Sequence, residues 1–387
     1  MAANIARTLQ ILERLVGFET LSARSNLAFV HYVRDLLAEA GIVSHLSFDE
    51  TGERANLHAI VGPPVEGGVV LNGHTDVVPV TGQAWSTPPF QLAVHDGRAH
   101  GRGAVDMKGF IACMLAAAED CAGRALKRPL HVTVCYDEEI GGLGAPVLVE
   151  DMKQRVLPAV GIVGEPTRMG IICGHKGGYE MRTVFSGLDC HAADPRKGVN
   201  AIVHAARFVG FLDALAGELA ARPFPGSRFD PPFSTINVGM IRGGAARNIV
   251  AGKCEVIWEL RPVPGDDGLA HLARIERHVQ EHLLPGMRAV APAAAVETVR
   301  EAIVPSLDDR QSGAAVALVK TLTGSGEAKV VSFGTDAGFF CDAGISTVVF
   351  GPGSIDQAHR PDEFIEIAEL ERCLAFLDRL AGHLEAA

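Results

Sequence analysis

The sequence predicts an α/β protein, a mostly parallel-sheet domain into which a smaller ferredoxin-like α+β domain is inserted. Three observations predict it. Short, almost wholly apolar runs alternate with stretches of helical period up to about residue 178, as strands do when helices bury both faces of their sheet. From Tyr179 to residue 298 the order becomes β-α-β-β-α-β, a split βαβ unit. From residue 299 the first rhythm returns. The expected domains are therefore 1–178 with 299–387, and the inserted 179–298.

The start, "MAANIARTLQILERLVGFET", sets Ile5, Leu9, Leu12, Leu15 and Val16 on one helical face and lacks the uninterrupted apolar core of a signal peptide. "ANLHAIVG", "GGVVLNGH", "PLHVTVCYDEE" and "AVGIVGEP" read as buried strands, with "GFIACMLAAAEDCAGRAL" as a helix between the middle two. In the insertion "YEMRTVFSG" is a strand, "NAIVHAARFVGFLDALAGEL" a helix, "STINVGMIRGG" and "KCEVIWELRPV" strands, "GLAHLARIERHVQEHL" a helix and "RAVAPAAAVETV" a strand. "GAAVALVKTLTG" then reads as a helix, "AKVVSFG" and "STVVFGP" as strands, and a last helix starts at about Glu366.

With 387 residues, 48% hydrophobic and 21% charged, the chain is long enough for two or three domains and is neither disordered nor fibrous. A net charge of -11 without a Lys/Arg run opposes binding to a phosphate backbone or to anionic lipid. No stretch is apolar for long enough to cross a bilayer. The eight cysteines are scattered, without a CxxC pair, so reduced thiols and a cytoplasmic location are expected.

"LNGHTDVVPV" places His74 and Asp76 at the end of an apolar run, where a buried strand should carry no charge. Other strand ends do the same. Asp106 lies in "GRGAVDMKG", Glu138 and Glu139 end "HVTVCYDEE", Glu165 ends "GIVGEP", and His359 lies in "GPGSIDQAHRPDEF". Parallel sheets put their chemistry at the carboxyl ends of strands, so these side chains should meet at one rim. Carboxylates crowded there must take up protons or find cations, and no Lys/Arg cluster accompanies them. Divalent metal satisfies the charge, and a set of two His and three carboxylates without Cys suits Zn²⁺, Co²⁺ or Mn²⁺ in an open catalytic site. Asp76, two residues on, is expected to accept the other ring N–H of His74 and fix its tautomer.

These segments, with "DEEIGG", "GEPT", "CHAADPRKGVNAI" and "ARNIVAGKCEVIWELRPVPG", resemble the M20 metallopeptidases over nearly the whole chain. The resemblance implies a zinc-exopeptidase-like catalytic domain holding two divalent ions, zinc first, with cobalt or manganese also compatible. It implies that Asp106 bridges them, with His74 and Glu165 completing one site and Glu139 and His359 the other. Glu138 becomes the general base for a water between the ions, the Asp106–Met107 peptide is expected to be cis, and His191 assists from the insertion as an oxyanion donor. Arg261 is expected to pair with a substrate carboxylate, the alternative being an internal ion pair with Glu259, and Asn248 to add a hydrogen bond. Asp336 in "FGTDAGFF" is a candidate for a substrate ammonium, the alternative being a surface turn.

The activity implied is release of acetate from N-acetyl-L-ornithine in arginine biosynthesis, by a homodimer acting on a small N-acyl amino acid. Desuccinylation of succinyl-diaminopimelate and aminoacylase or dipeptidase activity are alternatives within the family. A non-catalytic metal or amino-acid binding protein has no need of a base such as Glu138.

Overall fold

The protein is described here by a computed structural model covering residues 4–324 and 326–386. The chain divides into two compact units, one made of Met1–Gly174, Leu307–Val330 and Thr335–Ala387, the other of His175–Ser306 and Val331–Gly334. The expected boundaries at 178/179 and 298/299 lie four and eight residues from those at 174/175 and 306/307, and Val331–Gly334, expected in the first domain, groups with the second unit. The last strand of the second unit, Ala295–Val304, runs past residue 298.

In the first unit, eight strands among the described residues form one sheet in the order Ser44–Phe48, Ala55–Val61, Leu130–Cys135, Val69–His74, Val160–Pro166, Ser346–Gly351, Ile171–His175, Ala328–Val331. The central four are mutually parallel. The pairings of Ser44–Phe48 with Ala55–Val61 and of Ala55–Val61 with Leu130–Cys135 are antiparallel. Every residue of Val69–His74, Leu130–Cys135 and Val160–Pro166 is buried, which is why these strands read as continuous apolar runs.

Helices Ile5–Val16, Gly109–Cys121 and Ile367–Ala386 share one core with Leu71 and Val132, whereas Leu148, Val149 and Phe340 pack with Val70 and Cys135 on the other face. Adjacent residues thus feed opposite layers, as a pleat requires. Phe110 leaves no room for a larger residue at Gly164, where a Cβ would come within 2.0 Å of its ring, so this glycine lets helix and sheet approach. The helix ends at Cys121, short of the expected "CAGRAL", with Gly123 in the turn that follows.

The second unit contains an antiparallel sheet in the order Thr235–Gly243, Lys253–Arg261, Gly178–Ser186, Ala295–Val304. Residues alternate buried and part-buried along Lys253–Arg261, and helices Ala201–Ala220 and Gly268–His278 contribute Phe208, Leu212, Leu272 and Ile275 to the core beneath them. With the strands in chain order numbered one to four, the sheet runs 2-3-1-4, as the β-α-β-β-α-β pattern requires. The last strand begins at Ala295 rather than in "RAVAPA", because Leu284–Arg288 is helical and Pro292 lacks the N–H a ladder needs.

Candidate metal centre

The rim is built by the carboxyl ends of the parallel strands. Strand Val69–His74 ends on His74, whose side chain is buried. Strand Leu130–Cys135 is followed by a turn in which Asp137 has a φ of 55° and presents Glu138 and Glu139. Asp137 is held by the Ala23 N–H at 2.7 Å and by an ion pair with Arg54. Strand Val160–Pro166 supplies Glu165. Asp106 stands in the segment Ala104–Lys108 with a non-helical backbone of its own (φ -126°, ψ 93°), and the segment is entered through Gly103 at a φ of 81°, where a Cβ would strike Val77 at 2.7 Å. The Asp106–Met107 peptide is cis.

These side chains converge. Asp106 Oδ1 is 3.0 Å from His74 Nε2, and Asp106 Oδ2 is 3.3 Å from His359 Nε2. His74 Nε2 also lies 3.7 Å from Glu165 Oε1, and His359 Nε2 is 3.1 Å from Glu139. Candidate ligand atoms of His74, Asp106 and Glu139 lie within 4.8 Å of one another, as do those of His74, Glu138 and Glu165. Five expected ligands and Glu138 therefore occupy one place.

Their electrostatics are those of a site with too much negative charge. Burial lifts Glu138 and Glu165 well above the usual carboxylate range, with the charge of Glu165 adding to it at Glu138 and that of Asp106 at Glu165. Burial and Asp106 raise Glu139 as well. Asp106 moves the other way: burial opposes ionisation, but hydrogen bonds from His359 and His74 outweigh it. His359 is pushed up to about 10 by its hydrogen bonds to Asp106 and Glu139. Divalent cations would relieve this charge, and the residues fit them. Glu165 Oε1 is buried without a hydrogen-bond partner, which costs free energy unless a cation takes it, and the donors are all imidazole nitrogens and carboxylate oxygens.

Asp76 departs from expectation in one respect. The nearest acceptor for His74 Nδ1 is the Asp76 backbone carbonyl at 2.9 Å, with the carboxylate at 3.6 Å. That carboxylate instead accepts the N–H of Glu138 at 3.0 Å, the N–H of Glu139 at 3.3 Å and the Ser22 hydroxyl at 2.7 Å. It fixes the turn that carries the two glutamates. Ser22 was not singled out in the sequence, where a lone serine before "ARSN" carries no signal.

In the second unit, His191 pairs with Ile249 in a two-residue ladder, and the backbone carbonyl of Asn248 accepts the Ala192 N–H at 3.0 Å. The expected oxyanion donor and Asn248 are therefore neighbours. His191 Nδ1 accepts the Ala193 N–H at 3.1 Å, which leaves Nε2 to carry the proton of the neutral ring. Arg261 Nη2 is 2.8 Å from Glu259 Oε2, the internal ion pair. Asp336, in the first unit, is 1% exposed and accepts Cys135 Sγ at 2.8 Å. It is not a surface turn.

Residues 70–383 match the model of peptidase family M20/M25/M40. An acetylornithine deacetylase of Myxococcus xanthus is 36% identical over 377 residues, 96% of each chain. The fold is also that of an M20 family metallo-carboxypeptidase from Sulfolobus solfataricus, with a TM-score of 0.75 at 18% identity over 98% of this chain and 99% of the other. A dinuclear metal binding peptidase of the M20 family from Bacillus subtilis gives a TM-score of 0.65 at 17% identity over 97% of each. Among the described residues no helix is long and apolar enough to cross a membrane.

Proposed function

Because this chain belongs to peptidase family M20/M25/M40, we propose that it is a dinuclear-metal amidohydrolase that releases acetate from N-acetyl-L-ornithine, giving L-ornithine for arginine biosynthesis. The observation that carries the reading is the Asp106 carboxylate, whose two oxygens face two different histidines. His74 and Glu165 would complete one cation site, and Glu139 and His359 the other. Two such cations, zinc by preference, would polarise the amide carbonyl and make water more acidic.

Glu138 takes a proton from the attacking water and returns it to the departing amine nitrogen. A carboxylate suits both transfers, since the group must accept a proton and then give it up. Asp76 keeps that carboxylate in place through the backbone of the turn. His191 donates from Nε2 to the developing oxyanion, a contribution of about 3 kcal/mol if it acts as other such donors do. Arg261, released from Glu259, and Asn248 recognise the substrate carboxylate.

The deacetylase relative, matched over nearly the full length of both chains, supports acetyl-ornithine as substrate. The free thiols of all eight cysteines fit a reducing cytoplasm. Strand Thr235–Gly243 lies at a sheet edge with Met240 and Ile241 exposed, which suits pairing into a homodimer. A panel of N-acetyl, N-succinyl and dipeptide substrates ranked by kcat/KM tests the reading. N-acetyl-L-ornithine should lead, and a clear preference for succinyl-diaminopimelate or for a dipeptide would replace it.

A further inference from the structure

Two ligand-bearing segments distant in sequence are tied together by a buried cluster outside the rim itself. Arg102 and Glu363 are each 1% exposed. Arg102 Nη1 donates to Glu363 Oε2 at 2.6 Å and to the Arg360 carbonyl at 3.3 Å, while Nη2 donates to Gln83 Oε1 at 2.7 Å. The Arg102 guanidinium also lies 5.1 Å from the centre of the Trp85 ring. The other oxygen of Glu363 accepts the backbone N–H of Val105 at 2.9 Å and of Asp106 at 3.3 Å. Gln83 Nε2 donates to the backbone carbonyl of His359 at 2.9 Å.

His359 needs such support. Its φ of 63° lies in the left-handed region, and its side chain is half exposed, so neither backbone preference nor packing fixes it. A residue held this way adopts one conformation only when its surroundings impose it. Here the restraint is the carbonyl of His359 itself, held by Gln83, and that of the next residue, held by Arg102. The same Arg102 pairs with the glutamate that holds the backbone of Asp106.

We propose that Arg102, Glu363 and Gln83 are positioning residues that lock the Asp106 turn and the His359 loop in register, and so set the affinity of the cation site formed by Asp106, Glu139 and His359. A planar fork with several donors suits the task, because one side chain must satisfy Glu363, Gln83 and a carbonyl at fixed angles. Lysine, with one ammonium on a flexible stem, cannot reach all three. The site completed by His74 and Glu165 shares Asp106 but not the His359 loop, so it should be weakened less.

This inference rests on the dinuclear reading, and the experiment separates the two. Zn²⁺ is titrated into metal-stripped full-length protein against a chelating dye, giving the affinities of the tighter and weaker ions, for wild type, Arg102→Lys, Glu363→Gln, Gln83→Ala and His359→Ala. Only variants with wild-type circular dichroism are compared. Gln83→Ala, at a partly exposed position, keeps the test available should the buried variants fail to fold. The expected result is that the clamp variants bind one ion about 10- to 100-fold more weakly, the range seen when outer partners of metal ligands are removed, and the other with a smaller loss, so that the ratio of the two affinities changes. Faster amide exchange in residues 354–363 should accompany it. A merely structural role would lower Tm and leave the ratio of the two affinities unchanged, and that result in folded variants overturns the clamp. If wild type itself takes up only one ion the dinuclear reading fails and the clamp falls with it, whereas if His359→Ala binds both ions with wild-type affinity, His359 is not a ligand and the clamp alone is overturned.

Discussion

Asp76 Oδ1 accepts the backbone N–H of Glu138 at 3.0 Å, joining residues 62 apart in sequence. The aspartate therefore acts on the base through the main chain of its turn. Asp76→Ala should lower kcat by about 10- to 100-fold, as loss of a supporting partner does. Asp76→Asn, which keeps one acceptor oxygen, should fall between. Steady-state rates of acetate release measured beside metal content check this, and an unchanged kcat in Asp76→Ala would show that the turn holds itself.

Glu138→Gln preserves shape and removes the proton acceptor. With metal content unchanged, kcat should drop about 100-fold or more through loss of general-base catalysis. Elemental analysis is the decisive companion, since Glu138 also lies within ligand distance of His74 and Glu165. Loss of an ion in this variant would make Glu138 a ligand.

The bridging assignment predicts unequal effects at two carboxylates. Asp106→Ala should deplete both cation sites together, whereas Glu165→Ala should weaken mainly one, because the oxygens of Asp106 face both histidines. Two tightly bound ions in Asp106→Ala would contradict a shared ligand.

A separate prediction concerns stability. His58 and His131 lie stacked in the first unit with ring nitrogens 3.0 Å apart. Burial lowers His58 to about 4 and His131 to about 3. Both therefore stay neutral in the folded state at pH values where the unfolded chain takes up a proton, below the ordinary histidine value of 6.5. Stability should fall as pH drops from about 6.5 towards about 4, by on the order of 2 kcal/mol for each histidine near pH 5. Asp151 faces His58 and offsets part of this, while Arg155 and His45 add to it. Thermal melts between pH 7 and pH 5 should show a steeper decline in wild type than in His58→Gln, and parallel curves would remove the pair from the account.

Much of the candidate centre was legible in the sequence because each candidate ligand ends a strand or opens a loop beside it, and a charged residue in an apolar run stands out. His74, Asp106, Glu139, Glu165 and His359 were all reached that way, with help from the family resemblance for their roles. What failed was contact across distance. The spacing of His74 and Asp76 suggested a carboxylate–imidazole bond, but the backbone carbonyl is closer and the carboxylate is occupied by a turn 62 residues away. Asp336 reads as a candidate for a substrate ammonium or as a surface turn, and the burial that removes the second reading cannot be seen in "FGTDAGFF" alone. Arg102 and Glu363 are 261 residues apart, and nothing in the sequence joins them. Helix and strand ends slipped at Gly123 and Pro292, where local breakers outweighed the apolar pattern.

The central claim is that two cations in this rim are required for release of acetate. The most direct measurement is the initial rate of acetate release from N-acetyl-L-ornithine by metal-stripped protein as Zn²⁺ is returned in increments per chain. The account predicts no activity without metal and a rate that reaches its plateau at two ions per chain. Activity that survives complete removal of metal, or a plateau at one ion with no further rise, would contradict it.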